Sequence, residues 1–493
     1  MYTLRTLLLI TTVAGTNAQA TVAPQSTGFN SSFALSRAQI EKASLSEDMA
    51  ASLNTVINFD RSQLANGGPR EDAFYSLPPL TPNATGPPPP GTLLRAQRFT
   101  DPAPFAIPPN TALSRILYTT TNTNGTLVPA SAFVLWPFEA RRFPGSGSGG
   151  YSAGEGEGAP TVLWTHGTSG FFASAAPSAH RALWYADAAP FTLAQAGYAV
   201  VGPDYAGLGV SESWDGSAVR HEYLVSSASA RDALNALRAA REAFVGLLEP
   251  RFVAMGHSQG GGVAWGVAEA LASDEFEDLT AGYLGTIAAS PTTDAFSGVP
   301  EFILPWVGMM LDTLFPGFEL SQWLTPLGVA RTELLGEVEG GIAVSQQLYF
   351  TGEAIVREDY RDTWYADAYA ELANAGRKPF RGPLLVVQGT EDVYVSYDIT
   401  SATVRDTCEV NPENDLEYLV INGTQHVPAL HATRQTLLRW IEDRFEGRPL
   451  AKPGCVRSDL ESFLPVEQYQ STGMSFPQWA GAPEYSYELP LGL

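Results

Sequence analysis

The chain has 493 residues, enough for one large elaborated domain or two to three ordinary ones, and its 44% apolar content supplies a sizeable core. A formal net charge of −23 argues against nucleic-acid binding, which needs a basic face, and against attachment to anionic lipid by simple attraction. Charge of this sign suits a soluble protein made for acidic surroundings, where part of it is protonated.

Residues 1–20 read as a signal peptide. Arg5 lies in a short n-region, Leu7 to Ala14 is apolar, and Ala18-Gln19-Ala20 forms a cleavage site. Nothing later reaches the ~18 apolar residues that a membrane span needs. The expected mature protein is secreted, with no transmembrane segment. Sequons at Asn30, Asn83, Asn124 and Asn422 suit that route. Cys408 and Cys455 are the only cysteines, and in an oxidising compartment a single pair is expected to form one disulfide. That bond would tie the C-terminal tail to the catalytic side of the molecule.

Residues 21–71 form a polar N-terminal extension with one helical signal: Leu45, Met49, Leu53 and Val56 share one face at a period of 3.6. The proline-rich Pro78 to Pro90 is an extended surface segment. Ser114 to Thr121 and Val128 to Phe138 alternate as paired strands around a turn at Asn122 to Thr126. Together they make the antiparallel edge of a mixed sheet. Gly145 to Gly158 is a long loop rich in Gly, Ser and Glu. Strands at Thr161–Trp164 and Tyr198–Val201 and a helix at Ala230–Phe244 follow.

Phe252 to Met255 is a strand-length apolar run. It ends in Gly256-His257-Ser258-Gln259-Gly260, a G-x-S-x-G, and a helical run from Gly262 to Ser273 begins at once. In a chain with 46 glycines the motif alone matches easily by chance; the strand–turn–helix context gives it a mechanism. Such a turn lifts the Ser258 hydroxyl clear of the sheet and turns the Gln259 N–H toward a forming oxyanion. Further strands are expected at Leu279–Ile287, Leu384–Val387 and Glu417–Ile421, with an amphipathic helix at Ala432–Phe445. Strands alternating with helices predict an α/β fold with a mostly parallel sheet flanked by helices.

Between Pro291 and Lys378 the alternation breaks. Trp306, Met309, Met310, Leu314 and Trp323 mark this segment as a helical cap over the C-terminal edge of the sheet. Met309, Met310 and Leu314 are the candidate acyl-pocket residues, because methionine adapts to apolar ligands of varied shape. A cap built this way predicts kcat/KM rising from acetyl to at least octanoyl esters. The expected boundaries are 1–20 signal peptide, 21–71 extension, 72–290 and 379–447 core, 291–378 cap, and 448–493 tail or flap.

A nucleophilic serine needs a base, and the base an orienting acid, in the chain order Ser, Asp or Glu, His. Asp392 follows the strand at Val386, with Glu391 as its competitor; His426 follows the strand at Tyr418, with His431 as runner-up. His166-Gly-Thr-Ser-Gly170 follows the strand that ends at Trp164, so the Thr168 N–H is the expected second oxyanion donor and His166 a brace for the loop. The chain carries no H-E-x-x-H, zinc-spaced cysteine pair, P-loop or dinucleotide fingerprint, so no metal site or cofactor is expected.

These residues resemble those of the fungal-type secretory lipases of the lipase-A group, within the α/β-hydrolase superfamily. The resemblance runs from about Asp72 to Gly447. It rests on Asp72-Ala-Phe-Tyr75 with Pro90-Gly-Thr-Leu-Leu94, Tyr118-Thr-Thr-Thr-Asn122, His166-Gly-Thr-Ser-Gly170 with Ala176-Pro-Ser178, Pro203-Asp-Tyr-Ala-Gly-Leu-Gly209, Gly256-His-Ser-Gln-Gly260, Gly389-Thr-Glu-Asp392 and His426. It implies hydrolysis of carboxylic esters, with a helical cap, a C-terminal flap and an ester or lipid substrate met at a lipid–water interface. By motif, Ser258 is nucleophile, Asp392 the acid and His426 the base, with Thr168 and Gln259 as the oxyanion hole. Ala175 departs from the pattern where a cysteine is expected, and residues 21–71 have no counterpart. An acyltransferase or small-molecule deacetylase would use the same triad, and a serine peptidase the same fold; a non-catalytic interaction module would be expected to lack a triad member.

Overall fold

The computed structural model describes residues 33–80, 86–144, 158–296 and 303–469. The expected signal peptide, the sequons at Asn30 and Asn83, most of the glycine-rich loop and the end of the tail lie outside the described residues.

Among the described residues ten strands make one sheet: β1 (Leu93–Gln97), β2 (Ala112–Thr121), β3 (Leu127–Trp136), β4 (Ala159–Thr165), β5 (Ala199–Pro203), β6 (Leu248–His257), β7 (Tyr283–Ala289), β8 (Leu384–Gly389), β9 (Leu416–Ile421) and β10 (Cys455–Leu460). Their order is β1-β2-β3-β5-β4-β6-β7-β8-β9-β10. The first three strands are antiparallel and β5 to β10 run parallel. Strands β4 and β8 are buried along their whole length, as a parallel sheet covered on both faces requires. The chain steps from β4 to β5, then crosses back over β4 to β6. That reversal opens a crevice outside the C-terminal ends of β4 and β6, where ligands bind in open sheets of this kind.

Among the described residues twelve helices flank the sheet: α1 (Arg37–Lys42), α2 (Glu47–Ser62), α3 (Pro190–Gln195), α4 (Ser226–Ala243), α5 (Gln259–Ala270), α6 (Glu277–Thr280), α7 (Leu304–Leu314), α8 (Pro326–Val338), α9 (Ile342–Tyr349), α10 (Trp364–Ala373), α11 (Tyr397–Val410) and α12 (Pro428–Phe445). Alternate strand residues feed two cores. Leu163, Phe252 and Ala254 pack with Leu234 and Leu237 of α4, Trp265 of α5 and Val404 of α11. Val162, Val253 and Met255 belong to the other core, with Leu437 and Ile441 of α12 and the helices between β7 and β8. The N-terminal extension joins this second core through Leu53, Val56 and Ile57 of α2. Ser46 caps that helix by accepting the Met49 N–H, which leaves Leu45 just outside it.

Three expectations need correction. The hairpin of β2 and β3 forms with the expected turn, but it is not the edge of the sheet, because β1 pairs outside it. The tail contributes β10, which extends the opposite edge in parallel with β9. Both added strands are only partly buried and carry charges, so neither shows the apolar run that betrays an inner strand. The Cys408–Cys455 disulfide forms, with Cα atoms 6.0 Å apart. It does not reach the catalytic side. Cys455 opens β10 opposite Leu416, the first residue of β9, and Cys408 lies at the far end of α11, so the bond closes the N-terminal ends of the strands. Asn124 and Asn422 are exposed, Asn124 in the β2–β3 turn and Asn422 just past β9. Among the described residues no helix is long and apolar enough to cross a membrane.

Candidate active site

The turn between β6 and α5 is strained. Ser258 adopts φ 62° and ψ −124°, a region that L-residues other than glycine seldom occupy. Its N–H is held by the Ala289 carbonyl of β7 at 2.9 Å, and its own carbonyl accepts the Gly262 N–H at 3.1 Å and the Thr292 N–H at 3.2 Å. Glycines flank it because nothing larger fits. A Cβ on Gly256 would stand 2.0 Å from the Gly260 carbonyl oxygen, and one on Gly260 would stand 2.0 Å from that of Thr165. The packing drives the serine outward at the N-terminus of α5, where unpaired N–H groups and the helix dipole favour negative charge. The Gln259 side chain is anchored by Nε2 donating to Nε2 of His221 at 3.0 Å. Burial pushes His221 down to about 3, so its ring is neutral and free to accept.

The loop after β4 brings Thr168 to the same place. Its hydroxyl is 3.1 Å from that of Tyr223. His166 braces this loop as expected: Nδ1 is 2.8 Å from the Gly167 carbonyl, Nε2 is 3.3 Å from the Asp204 carbonyl, and the ring stacks on Tyr205. Burial lowers it to about 4, which keeps it out of proton transfer near neutrality. Two of the sequence motifs meet here: the Ser178 N–H donates to the Asp204 carboxylate at 2.7 Å.

Beyond β8 and β9, the His426 Nδ1 lies 2.7 Å from Asp392 Oδ2. The carboxylate is further held by the N–H groups of Tyr394 and Val395, at 3.0 and 2.9 Å, and by the Gln388 amide at 3.2 Å. Burial alone would raise this carboxyl. The His426 charge and these hydrogen bonds outweigh it and hold Asp392 below the usual carboxylate range. A carboxylate on Nδ1 requires the proton there, so Nε2 is the basic nitrogen. The competitors fall away. Glu391 is exposed, and His431 lies on α12 with Nδ1 against Arg434 at 3.2 Å.

Ser258, His426 and Thr168 line one cavity of about 80 Å³. Its remaining wall is mostly apolar and includes Ile303 and Trp306 at the start of α7, Ile342 of α9, and Tyr185 and Tyr223. A family model described as alpha/beta hydrolase family matches residues 162–437, from β4 into α12. The chain belongs to the alpha/beta hydrolase family. This hydrolase is similar in structure to Candida antarctica lipase A in its closed state, at 16% identity and a TM-score of 0.58, over 85% of this chain and 94% of that one. It is also similar to the rice cell wall degrading esterase LipA from Xanthomonas oryzae, at 18% identity and a TM-score of 0.53, over 72% and 98% of the two chains. At these identities the likeness establishes a lipase-A-like fold. No curated protein matches the hydrolase in sequence.

The acyl-pocket expectation is corrected. Met309, Met310 and Leu314 do not line the cavity. Met310 is buried in the core with Val307 and Leu311, and Met309 and Leu314 pack against that core half-buried. Trp306 and Met310 share a helix face, but one turn of about 6 Å separates them, and of the two only Trp306 lines the cavity. Reading residues also missed Gln388, Tyr185 and Tyr223. Gln388 had a signal, a lone amide inside the apolar strand Leu384–Gly389; the tyrosines lie in irregular segments with none.

Among the described residues no group of three or more His, Cys, Asp or Glu could hold a metal ion.

Proposed function

We propose that this hydrolase is a secreted serine carboxylesterase of lipase type, in which Ser258 attacks the carbonyl of an ester carrying an apolar acyl group. One observation carries the reading: Ser258, on its strained turn, shares a cavity with His426, whose other face is held by Asp392 at 2.7 Å. His426 Nε2 takes the Ser258 proton as the hydroxyl attacks. Asp392 keeps the proton on Nδ1 and stabilises the imidazolium. The Thr168 and Gln259 N–H groups stabilise the oxyanion, at ~2.7–4 kcal/mol per donor. Proton return to the alkoxide releases the alcohol, and water activated by His426 cleaves the acyl-enzyme.

The mostly apolar wall of the cavity suits an apolar acyl group. Each buried methylene contributes about 0.8 kcal/mol, so chain length is rewarded until the cavity is full. The folds of a lipase and an esterase, the apolar wall and the N-terminal sequence support the ester and secreted parts of the reading. An acyltransferase or deacetylase using the same groups is the second reading, favoured by the small volume. A panel of p-nitrophenyl esters from acetyl to dodecanoyl, run beside an emulsified triglyceride, separates them. A kcat/KM rising from acetyl to at least octanoyl esters is expected. A maximum at acetyl with no activity on longer chains supports the deacetylase. N-terminal sequencing of protein from the culture medium is expected to begin at Thr21.

A further inference from the structure

We infer that Tyr185 and His257 form a positioning relay that locks the oxyanion loop, the serine turn and the loop of the base into one register. The inference rests on the proposed roles of Ser258 and His426. The Tyr185 hydroxyl is 2.7 Å from Nδ1 of His257, and Nε2 of His257 is 3.1 Å from the backbone carbonyl of His426. The direction of these bonds follows from chemistry. A carbonyl only accepts, so the His257 proton sits on Nε2. Nδ1 is then bare and must accept, so Tyr185 donates. The imidazole is fully buried, and burial first, then the neighbouring His426 charge, drives it far below its usual range, so it stays a neutral donor–acceptor. The Tyr185 hydroxyl also packs against Gly167, next to Thr168: a Cβ on that glycine would stand 2.2 Å from its oxygen. Three elements far apart in sequence are thereby joined through one phenol and one imidazole: the loop after β4, the turn after β6 and the loop after β9.

An independent feature points the same way. Leu183, Trp184 and Ala186, the neighbours of Tyr185, all hold positive φ, at 49°, 66° and 44°. Left-handed backbone at three non-glycine residues within four persists only where the surroundings over-determine it, and such strain collects at functional sites. His180 supports the bend by accepting the Ala182 and Trp184 N–H groups at Nδ1, at 3.2 and 3.3 Å. The bend delivers Tyr185 to the wall of the catalytic cavity and its hydroxyl to His257. The rings of His257 and His426 lie 4.5 Å apart, so a shift of one moves the other. Neither Tyr185 nor His257 exchanges a proton with substrate; both act by holding the groups that do.

The test uses the full-length secreted protein and a p-nitrophenyl ester. Tyr185→Phe keeps the ring and removes the hydroxyl. His257→Leu removes both bonds, and His257→Gln keeps an acceptor and a donor in similar places. Tyr185→Phe and His257→Leu are each expected to lower kcat by about 10- to 100-fold, the effect of a misplaced catalytic group, with KM within about twofold. His257→Gln should recover most of that loss, and the double variant Tyr185→Phe/His257→Leu should lose no more than the worse single one, because both act on one chain of bonds. Active-site titration with a serine-directed phosphonate counts competent sites and separates slow enzyme from misfolded enzyme. Unchanged kcat in folded Tyr185→Phe, a loss carried by KM, or multiplying losses in the double variant would overturn the relay. If His257→Leu does not fold, Tyr185→Phe and His257→Gln decide. Wild-type protein that the phosphonate leaves unlabelled defeats the parent reading instead, a result distinct from any of these.

Discussion

The loops at the C-terminal ends of the strands and the helices laid over them are built on different principles. In the loops, polar groups are buried, and the acid, its imidazole and the backbone of the serine are tied down. Asp392 accepts four hydrogen bonds, Ser258 is fixed by three backbone contacts, and the backbone is strained where the hydroxyl is presented. In α7 to α10 the work is done by apolar packing, with Trp306, Met310, Trp323 and Tyr369 buried in one core. The first region is intolerant because its energy lies in directed bonds that fail abruptly. The second is tolerant of shape but not of charge, because its energy is spread over area. Damage to the loops should therefore remove turnover and leave the fold. Damage to the helices should change selectivity or stability and leave the chemistry.

The sharpest break of that contrast is in the triad. Ser258→Ala and His426→Ala should each lower kcat by ~10⁴–10⁶ with the fold intact, and Asp392→Asn by about 10⁴. Glu391→Gln, on the exposed neighbour, should stay within about twofold of wild type; the reverse ranking moves the acid by one residue. The middle-sized effect belongs to the cavity wall. Trp306→Ala enlarges the acyl site, so the best chain should lengthen by several carbons while acetyl-ester kcat changes by less than about threefold; an unaltered chain-length profile would exclude Trp306 from acyl selection. Met310→Asp places a charge in a sealed core and should cost more than about 3 kcal/mol in denaturant unfolding. If Met310→Asp folds normally and only flattens the chain-length profile, Met310 lines the site after all.

Two further effects should spare the chemistry altogether. Replacing both Cys408 and Cys455 by Ser removes a loop constraint worth at most about 4 kcal/mol by chain entropy. Because the bond closes the end of the sheet remote from Ser258, kcat should not change; a fall in kcat would place it on the catalytic side. The buried carboxyls beneath the loops give stability a pH dependence of known sign. Burial raises Asp232 to about 7 and Asp204 to about 6. Unfolding lets each ionise nearer 4, so the native state binds more protons between about pH 4 and 7 and stability falls as pH rises through that window. Asp392, held low, acts oppositely, with its contribution lost only below about pH 4. The buried histidines His166, His180, His221 and His257, whose unfolded forms take up protons below about 6.5, act in the opposite sense. The carboxyl effect is therefore read as a difference: relative to wild type, Asp232→Asn should change Tm more favourably at pH 8 than at pH 5.

Much of this architecture was legible because parallel strands buried on both faces write themselves as short apolar runs. The runs at Thr161–Trp164, Phe252–Met255 and Leu384–Val387 all sit inside observed strands. The motif residues Ser258, Asp392 and His426 stand where those strands end, so strand position and residue type together pointed to them. What stayed hidden has physical causes. Strands β1 and β10 lie at exposed edges, where charge replaces apolar pattern. The periodicity of α7 told which face is buried but not what covers it, so Met310 and Trp306 looked alike although only the tryptophan reaches the cavity. Tyr185 reaches His257 through a bend whose left-handed residues, Leu183, Trp184 and Ala186, are ordinary in type. Conformation of that kind is imposed by surroundings and leaves no local mark.

The central claim is that Ser258 is a nucleophile activated by His426 and Asp392. A fluorophosphonate probe, followed by proteolysis and mass spectrometry of the labelled peptide, reads it directly. The account predicts one equivalent of label on Ser258, lost in Ser258→Ala and slowed by several orders of magnitude in His426→Ala. Label on another residue, or equal labelling with and without His426, would contradict it.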